Sequence, residues 1–211
     1  MGSEDLFKKK KLALRRSQGK REPFKYILIV CEGEKTEPNY FRSFNLPSAP
    51  IIEGTGKNTL SLVEEAIEIR DKKQKELNRE VDSTWCVFDK DSFPDDNFTN
   101  AIDKARANKV QVAYSNESFE LWYLLHYHYV DTAFNRQDLI KKLTNCLGQK
   151  YMKNDCGMYA KLLDKQEAAI INAKKLLAFH KENGNILPQD SNPSTTVYKL
   201  VEFLNKEKSK Q

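Results

Sequence analysis

Two apolar runs in this chain each end in carboxylates. Tyr26-Ile-Leu-Ile-Val-Cys31 passes directly into Glu32-Gly33, and Thr84-Trp-Cys-Val-Phe88 passes into Asp89-Lys-Asp91. Runs this continuous belong to strands buried on both faces, the habit of a parallel sheet covered by helices. Pro50-Ile-Ile-Glu53 and Val110-Gln-Val-Ala-Tyr114 read as two further strands. Between them lie helical patterns. The first opens near Thr36 with Pro38 in its first turn and places Tyr40, Phe41 and Phe44 on one side. The second carries Leu60, Val63, Ile67 and Leu77 as a stripe, the third covers about 96–108, and the fourth runs through Phe119–Leu125. Strand–helix alternation over 25–130 predicts right-handed βαβ units and a four-stranded, mostly parallel α/β sheet flanked by helices. Beyond residue 130 the pattern is helical: 137–147, about 159–181, and a last helix opened by Asn192-Pro-Ser-Thr195. The expected organisation is an arm (1–22), an α/β core (23–130) and a helical extension packed on it (131–211).

In a sheet of this kind ligands collect beyond the carboxyl ends of the strands. That is where Glu32, Asp89 and Asp91 fall. Like charges brought together under partial solvation are costly unless one takes a proton or a cation sits among them. Oxygen-only donors suit Mg²⁺ or Mn²⁺, and surroundings poor in His and Cys argue against zinc. Glu120, at the start of the helix after the fourth strand, is a further candidate ligand; a capping acid favoured by the helix dipole is its plainer reading.

Charge is concentrated at one end. Of 35 Lys+Arg and 30 Asp+Glu, residues 1–22 hold eight basic and three acidic, which equals the whole net charge of +5. Lys8, Lys9, Lys10, Lys11, Arg15 and Arg16 make an arm suited to displacing counterions from nucleic acid, although short basic tails are also commonly just solvated. No apolar run reaches the ~20 residues of a bilayer span, and no secretory signal is expected. The four cysteines form no CxxC pair, so a reduced, cytoplasmic protein is expected. Gly54-Thr-Gly-Lys-Asn-Thr59 lacks the spacing of an ATP-binding loop and reads as a helix entry. His126 and His128, two apart, read as packing residues, and Trp122, Tyr123, Tyr127 and Tyr129 read as a helix packed on the sheet before they read as a base-stacking platform.

Glu32-Gly33 after one strand and Asp89-x-Asp91 after a later one resemble the Toprim domain of topoisomerases, bacterial primases and overcoming-lysogenization-defect (OLD) nucleases. More specifically, Ile29-Val-Cys-Glu-Gly-Glu-Lys-Thr-Glu-Pro-Asn-Tyr-Phe41, Asp89-Lys-Asp-Ser-Phe93, Ser115-Asn-Glu-Ser-Phe-Glu-Leu-Trp-Tyr-Leu-Leu-His126 and Asn192-Pro-Ser-Thr-Thr196 resemble the RloB-like (AbiLii) family over most of 25–205. That family is associated with restriction–modification loci and abortive infection, often beside a gene for a partner ATPase. The resemblance implies a phage-defence effector with a Toprim-like fold that hydrolyses phosphodiesters of DNA or RNA, tRNA included. Glu32 would be the general acid/base and Asp89 and Asp91 the metal ligands, Glu32 contributing to the same centre. OLD-type motifs carry a second acid four residues after the first; here Glu34 follows by two and Glu37 by five, leaving open which supplies a ligand. Lys35 and Lys90 are candidate phosphate helpers, although a lysine at a strand end is more simply a solvated one. Two other classes compete. A haloacid-dehalogenase-like phosphatase would use Asp89 as nucleophile and leave Glu32 unexplained, and a non-catalytic adaptor for the ATPase would keep the acids as structure. Homo-oligomerisation stays open.

Overall fold

The apolar runs become the two inner strands of the predicted sheet. In the computed structural model, which describes residues 24–210 except 47, 49, 58, 91–94 and 186, β1 (Ile27–Cys31) and β3 (Ser83–Asp89) pair in parallel and are buried at every residue. β2 (Ile51–Gly54) runs parallel to β1 on the outer side, and β4 (Gln111–Asn116) runs parallel to β3. A fifth strand, β5 (Ser194–Thr195), closes the other margin antiparallel to β4, giving the order β2-β1-β3-β4-β5.

The helices are α1 (Thr36–Arg42), α2 (Thr59–Leu77), α3 (Asp95–Ala107), α4 (Glu120–Leu125), α5 (Arg136–Leu147), α6 (Met158–Leu162), α7 (Gln166–Glu182) and α8 (Val197–Lys208). The period-two pleat divides the inner strands between two cores. Leu28, Val30, Cys86 and Phe88 face a smaller cluster with Leu62, Val63 and Ala66 of α2 and Phe98, Ala101 and Ala105 of α3. Ile27, Ile29, Cys31, Trp85 and Val87 face a larger one that takes in α1, α4 and residues from every helix after it. Tyr40 is the hub there: its ring lies 5.8 Å from Phe119 and 5.5 Å from Tyr159, edge-on to both, tying α1 to α4 and α6. Such aromatic pairs add roughly 0.5–1.5 kcal/mol each beyond their area.

Three local expectations need correction. Residues 192–195 do not open a helix; the hydroxyls that resemble a cap work on the sheet margin instead. Thr195 Oγ1 donates to Tyr114 O (3.0 Å) and pairs with Ser115 Oγ (3.1 Å), and α8 starts only at Val197. The long helix expected over 159–181 is divided by a 3₁₀ turn at Leu163–Lys165. The stripe on α2 ends early, because the helix runs past the sheet and leaves Leu77 48 % exposed.

Candidate functional site

The strand ends place the acids as the topology requires. β1 ends at Cys31, and the chain turns at Glu32 with its amide donating to Val87 O (2.9 Å) and its carbonyl accepting from Gly56 N (2.9 Å). The side chain then folds over the end of β3, where Glu32 Oε2 accepts the Asp89 amide at 3.0 Å. Two acids 57 residues apart in the chain therefore share one cleft. Asp91 lies outside the described residues, as do Lys8, Lys9, Lys10, Lys11, Arg15 and Arg16.

Two glycines make the turn fit. A Cβ on Gly33 would stand 2.0 Å from Glu37 Oε2, so only a glycine lets that carboxylate pack against the turn. A Cβ on Gly54 would meet Glu34 Cα and Gly33 O at 2.7 Å, both backbone. The cleft they bound has a volume of about 400 Å³ and is lined by Glu32–Glu37, Asp89, Arg136, Lys153 and Asn154.

Its acids are unevenly buried. Asp89 is 5 % exposed and Glu37 7 %, while Glu32 is half-buried. Glu37 comes from the first turn of α1, and its Oε2 has no hydrogen-bond partner among the described residues. Burial raises the Glu37 pKa. Its own backbone N–H opposes that shift, the nearby charge of Glu120 adds to it, and Lys153 and Arg136 pull it back. Glu120 is 1 % exposed at the start of α4, accepts from the Tyr151 hydroxyl at 3.3 Å and stands 3.9 Å from Arg136 Nη2. Burial, and then the Glu120 carboxylate, raises the Tyr151 pKa in turn. Glu120 is thus no exposed capping acid; it is tied to the later part of the chain.

Arg136 went unremarked in the sequence. It is the first residue of α5, entered through Asn135, whose side-chain oxygen accepts the Asp138 amide at 2.9 Å. From there its Nη2 reaches to 3.6 Å from Asp89 Oδ2. Lys153, also unremarked, borders the cleft from the loop after α5, as Lys35 does from the loop before α1. Lys90 is not the solvated strand-end lysine its position implies. It is 9 % exposed, and its backbone amide continues the sheet by donating to Ser115 O at 2.8 Å.

The donors present are all carboxylate oxygens, as a hard cation prefers. Glu32 and Asp89 already share the cleft, and Glu37, whose Oε2 has no hydrogen-bond partner among the described residues, lines it beside them. In kind, these residues fit Mg²⁺ or Mn²⁺. In number, no group of three or more His, Cys, Asp or Glu among the described residues is arranged to hold a metal ion.

Of the other candidates, Tyr127 and Tyr129 are partly buried against the larger core, whereas His128, expected to pack, is exposed because the chain has left α4 there. His126 is buried with its Nδ1 2.8 Å from Trp122 O, and Trp122 and Tyr123 are core residues at 0 % and 1 % exposure. Among the described residues no helix is long and apolar enough to cross a membrane.

No curated protein and no solved structure matches the chain. The family model described as RloB-like protein matches residues 27–204, a span that begins at β1, takes in the whole cleft and ends within α8. The chain belongs to the RloB-like family.

Proposed function

We propose that the protein is a metal-dependent nuclease that hydrolyses phosphodiesters of DNA or RNA as an effector of antiviral defence. Membership of the RloB-like family is compatible with a defence role. The observation that carries the reading is the Glu32–Asp89 contact, which brings acids from the ends of two parallel strands into one polar cleft. Both parent strands are buried at every residue, so the carboxylates rise from rigid backbone, as a site needing fixed geometry requires.

Glu32, Asp89 and Asp91 would hold Mg²⁺ or Mn²⁺, which when bound supplies positive charge at the scissile phosphate and acidifies a water. Glu32, the more exposed of the two described acids, would accept or return a proton at its carboxylate as general acid/base. Asp89 is held in place by the sheet register opposite Ser115. A Toprim-like relationship to OLD nucleases is part of the same proposal.

The test is incubation of the purified full chain with Mn²⁺ and a panel of tRNA, other RNA and DNA, with and without the neighbouring ATPase. Cleavage that chelation abolishes, and that Glu32→Gln lowers by about a hundredfold or more at unchanged melting temperature, supports the reading. Full activity in Glu32→Gln overturns it. One observation favours a second reading: the Arg136 guanidinium beside Asp89 and Glu120 already offsets part of their charge, as in an adaptor whose acids are structural. Phage protection that survives an Asp89→Ala/Asp91→Ala double substitution selects the adaptor.

A further inference from the structure

The cleft has two chemical halves of different origin. Its acids come from the strand ends and the helices that follow them, whereas two of its cations, Arg136 and Lys153, come from the chain beyond residue 130. We propose that these two residues form a phosphate clamp which holds a phosphodiester of the substrate strand over Glu32 and Asp89. The clamp rests on the nuclease reading and adds to it a binding role for the later part of the chain.

Both cations sit on segments that the fold anchors to the cleft from either side. Arg136 opens α5, and its guanidinium reaches the strand-end Asp89 and the α4 acid Glu120 at 3.6 and 3.9 Å. At these ion-pair distances the two acids attract the guanidinium toward the cleft. Lys153 lies in the loop between α5 and α6. Upstream of it, Tyr151 donates through its amide to Thr144 Oγ1 (3.2 Å) and through its hydroxyl to Glu120 (3.3 Å). At Lys153 itself the carbonyl accepts from Thr36 Oγ1 in α1, and downstream Asn39 Nδ2 meets Cys156 Sγ at 3.3 Å. Four contacts to three different elements, α5, α4 and α1, are more than a solvent loop needs, and their joint effect is to fix a lysine at the lip of an acidic cleft.

The chemistry suits a phosphate. A guanidinium presents a planar fork of donors that matches two phosphate oxygens, and an ammonium adds a point charge. Buried carboxylates beneath them repel a bare anion and tolerate one only where cations interpose. A phosphodiester strand gripped from above by Arg136 and Lys153 meets that condition. Lys35, exposed across the cleft, extends the same cationic rim toward the next phosphate.

The test measures binding apart from cleavage, using the full chain in EDTA with a fluorescently labelled single-stranded oligonucleotide, as RNA and as DNA, over a range of salt. Lys153→Gln and Arg136→Gln should each weaken binding about tenfold and each lower the log–log salt slope by roughly 0.7. Arg136→Lys, which keeps the charge but loses the fork, should fall between wild type and Arg136→Gln. Lys141→Gln, on the exposed side of α5 where the lysine pairs with Asp138, should bind as wild type. Because Arg136→Gln removes a cation from beside two buried acids and could unfold the chain, Lys153→Gln and Arg136→Lys decide the matter in folded protein. If both bind as tightly as wild type with the same salt slope, the clamp is wrong even where cleavage is intact. If the losses appear as expected while no metal yields cleavage, the clamp stands and the nuclease reading falls. A wild-type chain that binds neither oligonucleotide overturns both.

Discussion

His126 shows how far one buried side chain can tie this fold to pH. Its ring stacks edge-on at 4.8 Å from Trp122, its Nδ1 lies 2.8 Å from the Trp122 carbonyl, and its Nε2 has no hydrogen-bond partner among the described residues. Burial pushes its pKa down to about 4; hydrogen bonds to the Trp122 and Tyr123 backbone oppose this, and the charge of Lys165 adds to it. The unfolded chain keeps the ordinary value near 6.5. Between about 6.5 and 4, then, the unfolded state holds a proton that the folded state refuses, and stability drains away as the pH falls through that window. A shift of that size corresponds to roughly 3 kcal/mol. Urea unfolding from pH 7 to pH 4 should show His126→Gln losing less stability than wild type by an amount of that order; parallel curves would refute the assignment. At this scale the sequence was legible where a residue ends a strand, as Glu32 and Asp89 do, because topology alone aims those side chains. It was opaque at Arg136, Lys153 and Lys90. The first two look like ordinary surface cations of a helix start and a loop, and the burial of the third is a tertiary property that a strand-end position does not reveal.

Among the elements, β2 carries a constraint larger than its four residues. Gly54, its last residue, pairs with Cys31 in register and lies against the Glu32–Lys35 turn, where an added methyl would strike the Glu34 and Gly33 backbone. Backbone cannot swing aside as a side chain can. Gly54→Ala should therefore lower stability by roughly 1–3 kcal/mol in denaturant titration and also displace Glu32, reducing cleavage beyond what the stability loss explains. An alanine variant with wild-type stability would show that the turn is softer than its packing implies. The long parallel strands and their helices were readable from apolar runs and stripes, since burial on both faces leaves a continuous signal. β5 was not, because two residues hold no periodicity and Ser-Thr ahead of an apolar run looks the same whether it caps a helix or lines a sheet. The break between α6 and α7 was hidden for a related reason: the inward spacing of Leu162, Gln166, Ala169 and Ala173 runs through it undisturbed.

For the whole molecule, the charge separation sets the expected binding behaviour. The +5 of residues 1–22 equals the net charge of the chain, and the remaining 27 basic and 27 acidic residues cancel. Deleting residues 1–22 should weaken nucleic-acid binding and flatten its dependence on salt, the clamp residues retaining a smaller slope. Equal binding at every salt concentration would remove the arm from the interface. The apolar core is also shared unevenly. The face bearing α2 and α3 is built from residues before 115, whereas the opposite face needs Leu139, Leu143, Met158, Leu176, Leu200 and Leu204 to cover β1 and β3.

Both margins of the sheet are short. β2 presents four residues and has its Ile52 carbonyl taken by the Arg42 guanidinium at 2.9 Å; β5 presents two and is bonded through its hydroxyls to β4. Long open margins are what let one polypeptide recruit another by strand pairing. Among the described residues, therefore, a second copy of this chain finds little open backbone to pair with, and helix surfaces and side chains are the larger area on offer. Mutations that disperse any assembly of copies are to be sought there, at a distance from the backbone ladder.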